Sequence, residues 1–368
     1  MHGELKAGCL PRSSVLPPTG GLSGSGGGGQ SAPAVSVAAV PAPSVLGTIS
    51  GGAPPAGAVS AANAQGSGSK VSQINLTAPI GGANTGASNS PGHGMALRID
   101  VVNLSVNYGS KKILRNIFFS VLPNEAWAVL GSSGGGKSTL LKAMTGQLPY
   151  NEGSVLYAQN KYEQLPLGSV GYVPQDDIVH QSLKVDTALY YGALLRLSAV
   201  YPGESEEGLR KLAQEAVALA IGQVELTGQK NLRISKLSGG QRKRVSVALE
   251  LLTSPGALFL DEPTSGLDPA LEGRMTKLFC RTAHQNNCTV MLTTHSMQSL
   301  LTMDMVLMLA KGRVVWCGPP RDMLAWFQVI QFGDIYELLE GAEEAWADKY
   351  LASAYNYQYV QKRLESAL

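Results

Sequence analysis

The residue best placed to do chemistry in this chain is a lysine. It sits in Gly131-Ser132-Ser133-Gly134-Gly135-Gly136-Lys137-Ser138-Thr139, which fits the pattern G-x-x-x-x-G-K-[ST]. Glycines let backbone N–H groups turn inward and meet phosphate oxygens with no Cβ in the way. Lys137 would reach the β- and γ-phosphates of a nucleoside triphosphate, and the Ser138 hydroxyl would ligate Mg²⁺. A second set of groups follows at Ala257-Leu258-Phe259-Leu260-Asp261-Glu262-Pro263, an apolar run ending in two carboxylates. Beside a phosphate loop, Asp261 would hold Mg²⁺, directly or through water, and Glu262 would polarise an attacking water.

Other candidates are weaker alone and gain from their positions. Gln175 ends the short run Val170-Gly171-Tyr172-Val173-Pro174-Gln175. His295 ends Val290-Met291-Leu292-Thr293-Thr294-His295, where a contact to a γ-phosphate would be useful. Leu237-Ser238-Gly239-Gly240-Gln241 opens a helical stretch, and a Ser-Gly-Gly helix start can face an anion. Ser265-Gly266-Leu267-Asp268 forms a turn just past the carboxylates. Tyr108 could stack on a purine base, although an aromatic at a turn is ordinarily a plain surface residue.

The elements that must hold these groups can be read from periodicity. Glu125 to Leu130 is a buried strand running into the loop, and Ser138 to Met144 is the helix leaving it. That order sets a helix N-terminus, with its partial positive charge, against the phosphates. Leu97 to Val106 alternates as an edge strand would, and Ile113 to Val121 follows as another. Thr187 to Ser198 and Glu204 to Gln223 carry apolar residues at helical spacing.

The chain has 368 residues, enough for two average domains or one with a long extra segment. A net charge of +2 argues against a strongly electrostatic nucleic-acid binder. The four cysteines include no C-x-x-C pair, so neither a zinc site nor a redox pair is signalled, and reduced thiols are the default. No apolar run of membrane-spanning length and no secretory leader are evident. Residues 1–95 differ from the rest: they hold 20 of the 43 glycines and only four charged residues, Glu4, Lys6, Arg12 and Lys70. Such a Gly/Ala/Pro/Ser-rich stretch buries too little apolar surface to offset its ordering entropy, which predicts a disordered tether. The alternative is an ordered Gly/Ala-rich fibrous element.

Together these residues resemble the ATP-binding cassette (ABC) ATPases over roughly residues 97–325. The Leu-Ser-Gly-Gly-Gln signature, lying between a phosphate loop and a Leu-Asp-Glu-Pro strand, is highly specific. In Tyr172 to Asp177, Arg242-Lys243-Arg244-Val245-Ser246 and Phe259 to Asp268 the chain looks like half-transporters with the ATPase first and the membrane domain second, a group that includes eye-pigment and sterol/multidrug exporters. Leu237, Gln241 and the Ser-Met after His295 look like its bacterial members. No membrane domain follows Leu368 within this chain and no forkhead-associated domain precedes, which puts self-sufficient transport in doubt.

The resemblance implies a set of roles. Tyr108 is the adenine-stacking aromatic, and residues Gly131 to Thr139 cradle the phosphates of ATP. Gln175 contacts metal and attacking water, Mg²⁺ is held with Ser138 and Asp261, Glu262 is the base and His295 the switch histidine. Ser238, Gly239, Gly240 and Gln241 meet the nucleotide held by an opposite subunit, and Asp268 bridges the two. The implied fold is α/β: a P-loop core with a mostly parallel sheet, an antiparallel edge sheet and a helical subdomain over about 176–240, the whole domain spanning 96–325. Residues 326–368 would be a helical connecting segment, the plain alternative for Asp334–Leu368 being a solvated C-terminal helix. The implied partners are a second ATPase domain, as homodimer or heterodimer, and a membrane permease, at the cytoplasmic face of a membrane. A docking surface for that permease is expected near Asp176 to Leu189, with Ile178, Val179, Leu183 and Val185 exposed. The rival readings are a soluble ABC ATPase acting on ribosomes or DNA and a regulatory sensor that binds ATP without turnover. Soluble translation factors carry two cassettes and DNA-repair members a long coiled coil, and neither occurs here. Glu262 and His295 speak against the sensor.

Overall fold

The computed structural model describes residues 94–297 and 299–367, all within the unit Ile74–Leu368. Of the predicted tether, only Gly94 and Met95 fall among them; the rest lies outside the described residues. The first half alternates sheets. Strands β1 (Ile99–Tyr108) and β2 (Lys111–Val121) form an antiparallel hairpin; β3 (Ala126–Gly131) runs into helix α1 (Lys137–Met144); β4 (Glu152–Tyr157) and β5 (Asn160–Lys161) follow. β6 (Val170–Val173) leads to α2 (Val185–Val200), α3 (Glu206–Gln223) and α4 (Gly239–Leu251). Next come β7 (Ala257–Leu260), α5 (Pro269–Gln285), β8 (Thr289–Thr293), β9 (Met305–Ala310) and β10 (Arg313–Gly318). The chain continues with α6 (Pro320–Phe327), α7 (Asp334–Leu339), α8 (Glu343–Leu351) and a last helical run over 354–365.

Two sheets result. One is antiparallel, in the order β2-β1-β4-β5. The other has the order β10-β9-β3-β8-β7-β6 and is parallel except for its edge strand β10, which pairs antiparallel with β9. Every residue of β3, β7, β8 and β9 is buried. That explains their unbroken apolar runs, since a parallel sheet is covered on both faces and has no polar side to show. The parallel order sets the carboxyl ends of β3, β6, β7 and β8 along one rim, where ligands of open α/β sheets bind.

The structure departs from the sequence expectations in two places. β6 stops at Val173, because Pro174 has no N–H to give the ladder, and Gln175 therefore sits in a turn. Val179 and Val185 are buried at 8% and 0% exposure, Leu183 is half-buried, and only Ile178, at 73%, is open. The burial has a cause. The stretch around Lys184 bridges Arg233, and the N–H groups of Val185 and Asp186 donate to the carbonyls of Leu232 and Lys230. This turns Val185 inward at the start of α2.

The C-terminal segment is helical and packed, not the solvated helix that was its plain alternative. Trp316 of β10 is fully buried, and the rings of Trp326, Tyr350, Tyr355 and Tyr359 lie with centroids 5.3 to 6.4 Å from it. The Tyr350 hydroxyl donates to the Cys317 carbonyl at 2.8 Å. Arg313 pairs with Glu344 and Asp348 at 2.9 and 2.6 Å, tying β10 to α8. Lys349 lies 4.2 Å from the Trp346 ring centroid and 4.9 Å from that of Trp326.

Candidate functional site

The loop Gly131–Gly136 joins β3 to α1, and its glycines are required by geometry. A Cβ on Gly131 would stand 2.4 Å from the Leu309 carbonyl oxygen of the neighbouring strand. Gly136, at φ 101, is the N-cap of α1 and makes no side-chain cap, so the first N–H groups of the helix are left for another acceptor. Lys137 is only 6% exposed, and its ammonium donates to the carbonyls of Gly131 (2.9 Å) and Ser132 (3.3 Å). Burial pushes the Lys137 pKa below that of a free lysine, with the Glu262 and Asp261 carboxylates acting against the shift.

The carboxylates meet this loop from β7. The Ser138 hydroxyl donates to Asp261 Oδ1 at 3.0 Å, and the Thr293 hydroxyl at the end of β8 donates to the same oxygen at 2.7 Å. Thr293 Oγ1 also accepts the Glu262 N–H at 2.7 Å. Glu262 has φ 46, left-handed backbone that costs a non-glycine residue free energy and tends to occur at functional positions. Its carboxylate is held from both sides: Gln175 Nε2 donates to Oε2 at 3.0 Å, and His295 Nε2 lies 2.9 Å from Oε1. Thus β3, β6, β7 and β8 bring Lys137, Gln175, Asp261, Glu262 and His295 to one rim.

Hydroxyl, carboxylate and amide oxygens are hard ligands, so Ser138, Asp261 and Gln175 fit Mg²⁺ by their chemistry. No cluster of three or more His, Cys, Asp or Glu able to hold a metal occurs among the described residues. Mg²⁺ needs none where it is shared with substrate phosphates.

The remaining candidates lie apart. Ser238 caps α4, accepting the Gln241 N–H at 3.3 Å while the Gln241 side chain accepts the Ser238 N–H at 3.0 Å. Gly239 begins the helix, and a Cβ on Gly240 would stand 2.4 Å from Leu271. Asp268 caps α5 by accepting the Leu271 N–H at 3.0 Å, so the signature and the Asp268 turn are neighbours in one chain. Among the described residues no hydrogen bond or ion pair joins Ser238–Gln241 to the phosphate loop. Tyr108 ends β1, 52% exposed. The hairpin that holds it continues into β2, whose Leu114 fills the space beside Gly136.

Two positioning groups escaped the sequence reading. Thr293 was one more residue of an apolar strand, and its only signal was a hydroxyl in a fully buried run. Lys243, 7% exposed, donates to the carbonyls of Pro174 and Gln175 at 3.1 and 2.6 Å, fastening α4 to the glutamine turn. It was one of three consecutive cations, which ordinarily mark a solvated face.

A parallel sheet with a phosphate loop after its central strand and paired carboxylates on the adjoining rim defines a P-loop nucleoside triphosphatase. Residues 114–265 match the family model described as ABC transporter. The ABC transporter ATP-binding/permease protein Rv1747 of Mycobacterium tuberculosis (strain ATCC 25618 / H37Rv) is 39% identical over 248 residues, 66% of this chain and 28% of that protein. ABC transporter G family member 25 of Arabidopsis thaliana is 37% identical over 234 residues, 62% of this chain and 35% of that one. Among solved structures, cbiO1 from Clostridium perfringens, part of the ABC transporter complex cbiONQ, is similar with TM-score 0.55 and 28% identity. That match covers 68% of this chain and 99% of cbiO1. The domain described here is therefore an ABC transporter ATP-binding domain, of a family that hydrolyses ATP. The chain spans 28% and 35% of the length of the two curated relatives.

Proposed function

We propose that this chain binds and hydrolyses ATP to drive a substrate across a membrane through a permease domain or subunit. The observation that carries the chemistry is Glu262, fixed between Gln175 and His295 beside the phosphate loop. Lys137 and the N–H groups at the start of α1 bind the phosphates. Ser138, Asp261 and the Gln175 side chain would hold Mg²⁺, which would supply charge to neutralise the phosphates. Glu262 takes the proton of the attacking water, and His295 steadies Glu262 and the terminal phosphate. Tyr108 stacks on adenine. A second ATPase domain completes each site with Ser238, Gly239, Gly240 and Gln241, and Asp268 meets it across the interface. Glu262→Gln keeps shape and hydrogen bonding but removes the base; steady-state turnover should fall by about 10²–10⁴-fold while ATP binding is retained. Turnover near that of the unaltered chain would remove Glu262 from the role.

Transport is supported by the similarity to an ABC transporter ATP-binding/permease protein and an ABC transporter G family member, and the permease side by a groove of about 420 Å³ between the glutamine turn and α2. Its walls include Ile178, Tyr191 and Leu195, exposed by 73%, 57% and 76%. Exposed apolar surface of this kind marks an interaction site. We assign it to the permease, at the cytoplasmic face of the membrane. No helix among the described residues is long and apolar enough to cross one. Ile178→Glu should abolish stimulation by permease-containing vesicles and leave basal hydrolysis intact. Unchanged stimulation with an intact circular dichroism spectrum would sink the assignment.

A further inference from the structure

The helix that begins at the signature also grips the glutamine turn. α4 is capped at its start by the exchange between Ser238 and Gln241. From its second turn, three side chains reach residues 174–177. The buried Lys243 ammonium donates to the Pro174 carbonyl at 3.1 Å and to the Gln175 carbonyl at 2.6 Å, and lies 3.6 Å from Asp177 Oδ1. The same Asp177 oxygen accepts from the Ser246 hydroxyl at 3.3 Å, and Arg242 Nε lies 3.8 Å from Asp177 Oδ2.

The turn depends on that grip. Pro174 ends the ladder of β6, and among the described residues 174–179 form no backbone–backbone hydrogen bond of their own. Hydrogen bonds from a charged donor are stronger than neutral ones, so Lys243 is the main tie on this stretch of backbone. The tie falls on the residue that aims the base: Gln175 Nε2 donates to Glu262 Oε2 at 3.0 Å. Lys243 makes no hydrogen bond or ion pair to Ser238–Gln241 among the described residues. Its polar contacts lie on the glutamine turn.

We infer that Lys243 is a positioning residue for Glu262 of its own chain, acting through Gln175, although it stands on the helix whose start serves the opposite site. This rests on the proposed pairing of two ATPase domains. α4 then works for both sites of the pair. Its start meets the nucleotide held by the other chain, and its second turn aims the base of its own. A shift of the helix on engagement is passed by Lys243 to Gln175 and so to Glu262.

Lys243→Met in the full chain keeps the stem and removes the donor. Its kcat for ATP should fall about tenfold, the effect of losing hydrogen bonds to a charged group, with KM and the Kd for Mg-ATPγS nearly constant. In a Gln175→Ala background the same substitution should cost no further kcat, because the side chain it acts through is gone. Equal losses in both backgrounds overturn the inference and would mean a general weakening of α4. Two differently tagged full chains, one carrying Glu262→Gln, are then paired. The fall should appear when Lys243→Met lies on the chain with the intact Glu262. A fall that follows the Glu262→Gln chain, which lends its signature to the working site, overturns the inference as well. If Lys243→Met does not fold, Lys243→Gln, a shorter side chain that is still polar, is read in the same comparisons. Absence of any ATP-dependent dimer would instead sink the two-domain reading, and the Gln175→Ala comparison would still decide the role of Lys243.

Discussion

Two helix beginnings in this domain face the same problem and solve it in opposite ways. α1 starts at Gly136 with no side-chain cap, its N–H groups open at the phosphate loop. α4 starts at Ser238 with a reciprocal cap, Ser238 and Gln241 satisfying each other. An uncapped start is costly unless an anion is supplied. A capped start is stable alone and must exchange bonds to meet a ligand. The difference teaches which of the two helix starts can take an anion without first giving up bonds of its own. The loop end leaves its first N–H groups open to an anion, whereas the signature end already satisfies its own.

The comparison breaks hardest at Lys137. Lys137→Ala removes the cation beside the open end, and ATP affinity should fall by about ten- to a hundredfold, the loss of charge-assisted hydrogen bonds. Equilibrium dialysis with Mg-ATP checks it, and retained affinity would mean that the uncapped N–H groups suffice. A smaller effect is expected at the closed end. Ser238→Ala should cost about 1 kcal/mol of stability by thermal unfolding. It should leave ATP binding to one protomer unchanged and weaken ATP-dependent self-association in a Glu262→Gln background, read by sedimentation. Smaller still is Gln241→Ala, which removes only the return bond; if it equalled Ser238→Ala in both measurements, the two caps would not be acting as described.

Why the loop was legible and other parts were not follows from where each residue's partners lie. Gly131 to Thr139 is a local solution, since glycines, lysine and hydroxyl are consecutive and their geometry is set within one turn. Asp261 and Glu262 were legible as a pair for the same reason. Thr293 was not, because its role depends on β8 lying between β3 and β7, and strand order is not written in any one segment. What the C-terminal aromatics pack against was not legible for a different reason. Trp346, Tyr350, Tyr355 and Tyr359 repeat at near-helical spacing, but the surface they cover belongs to Trp316 and Trp326, 20 residues or more upstream of Trp346. Val185 misled because an apolar residue at a helix start reads alike whether the preceding chain is free or, as here, bridged at Lys184 and Arg233.

The Lys137 ammonium resting on the Gly131 and Ser132 carbonyls has a consequence for selectivity. On the proposed function, a nucleotide must outbid two carbonyls that also bind the cation. An anion offering one oxygen gives up as much as it gains. A polyphosphate offers several oxygens at once, to the lysine and to the helix start together. On that reading, discrimination between a triphosphate and simple anions depends on the carbonyls that compete for Lys137.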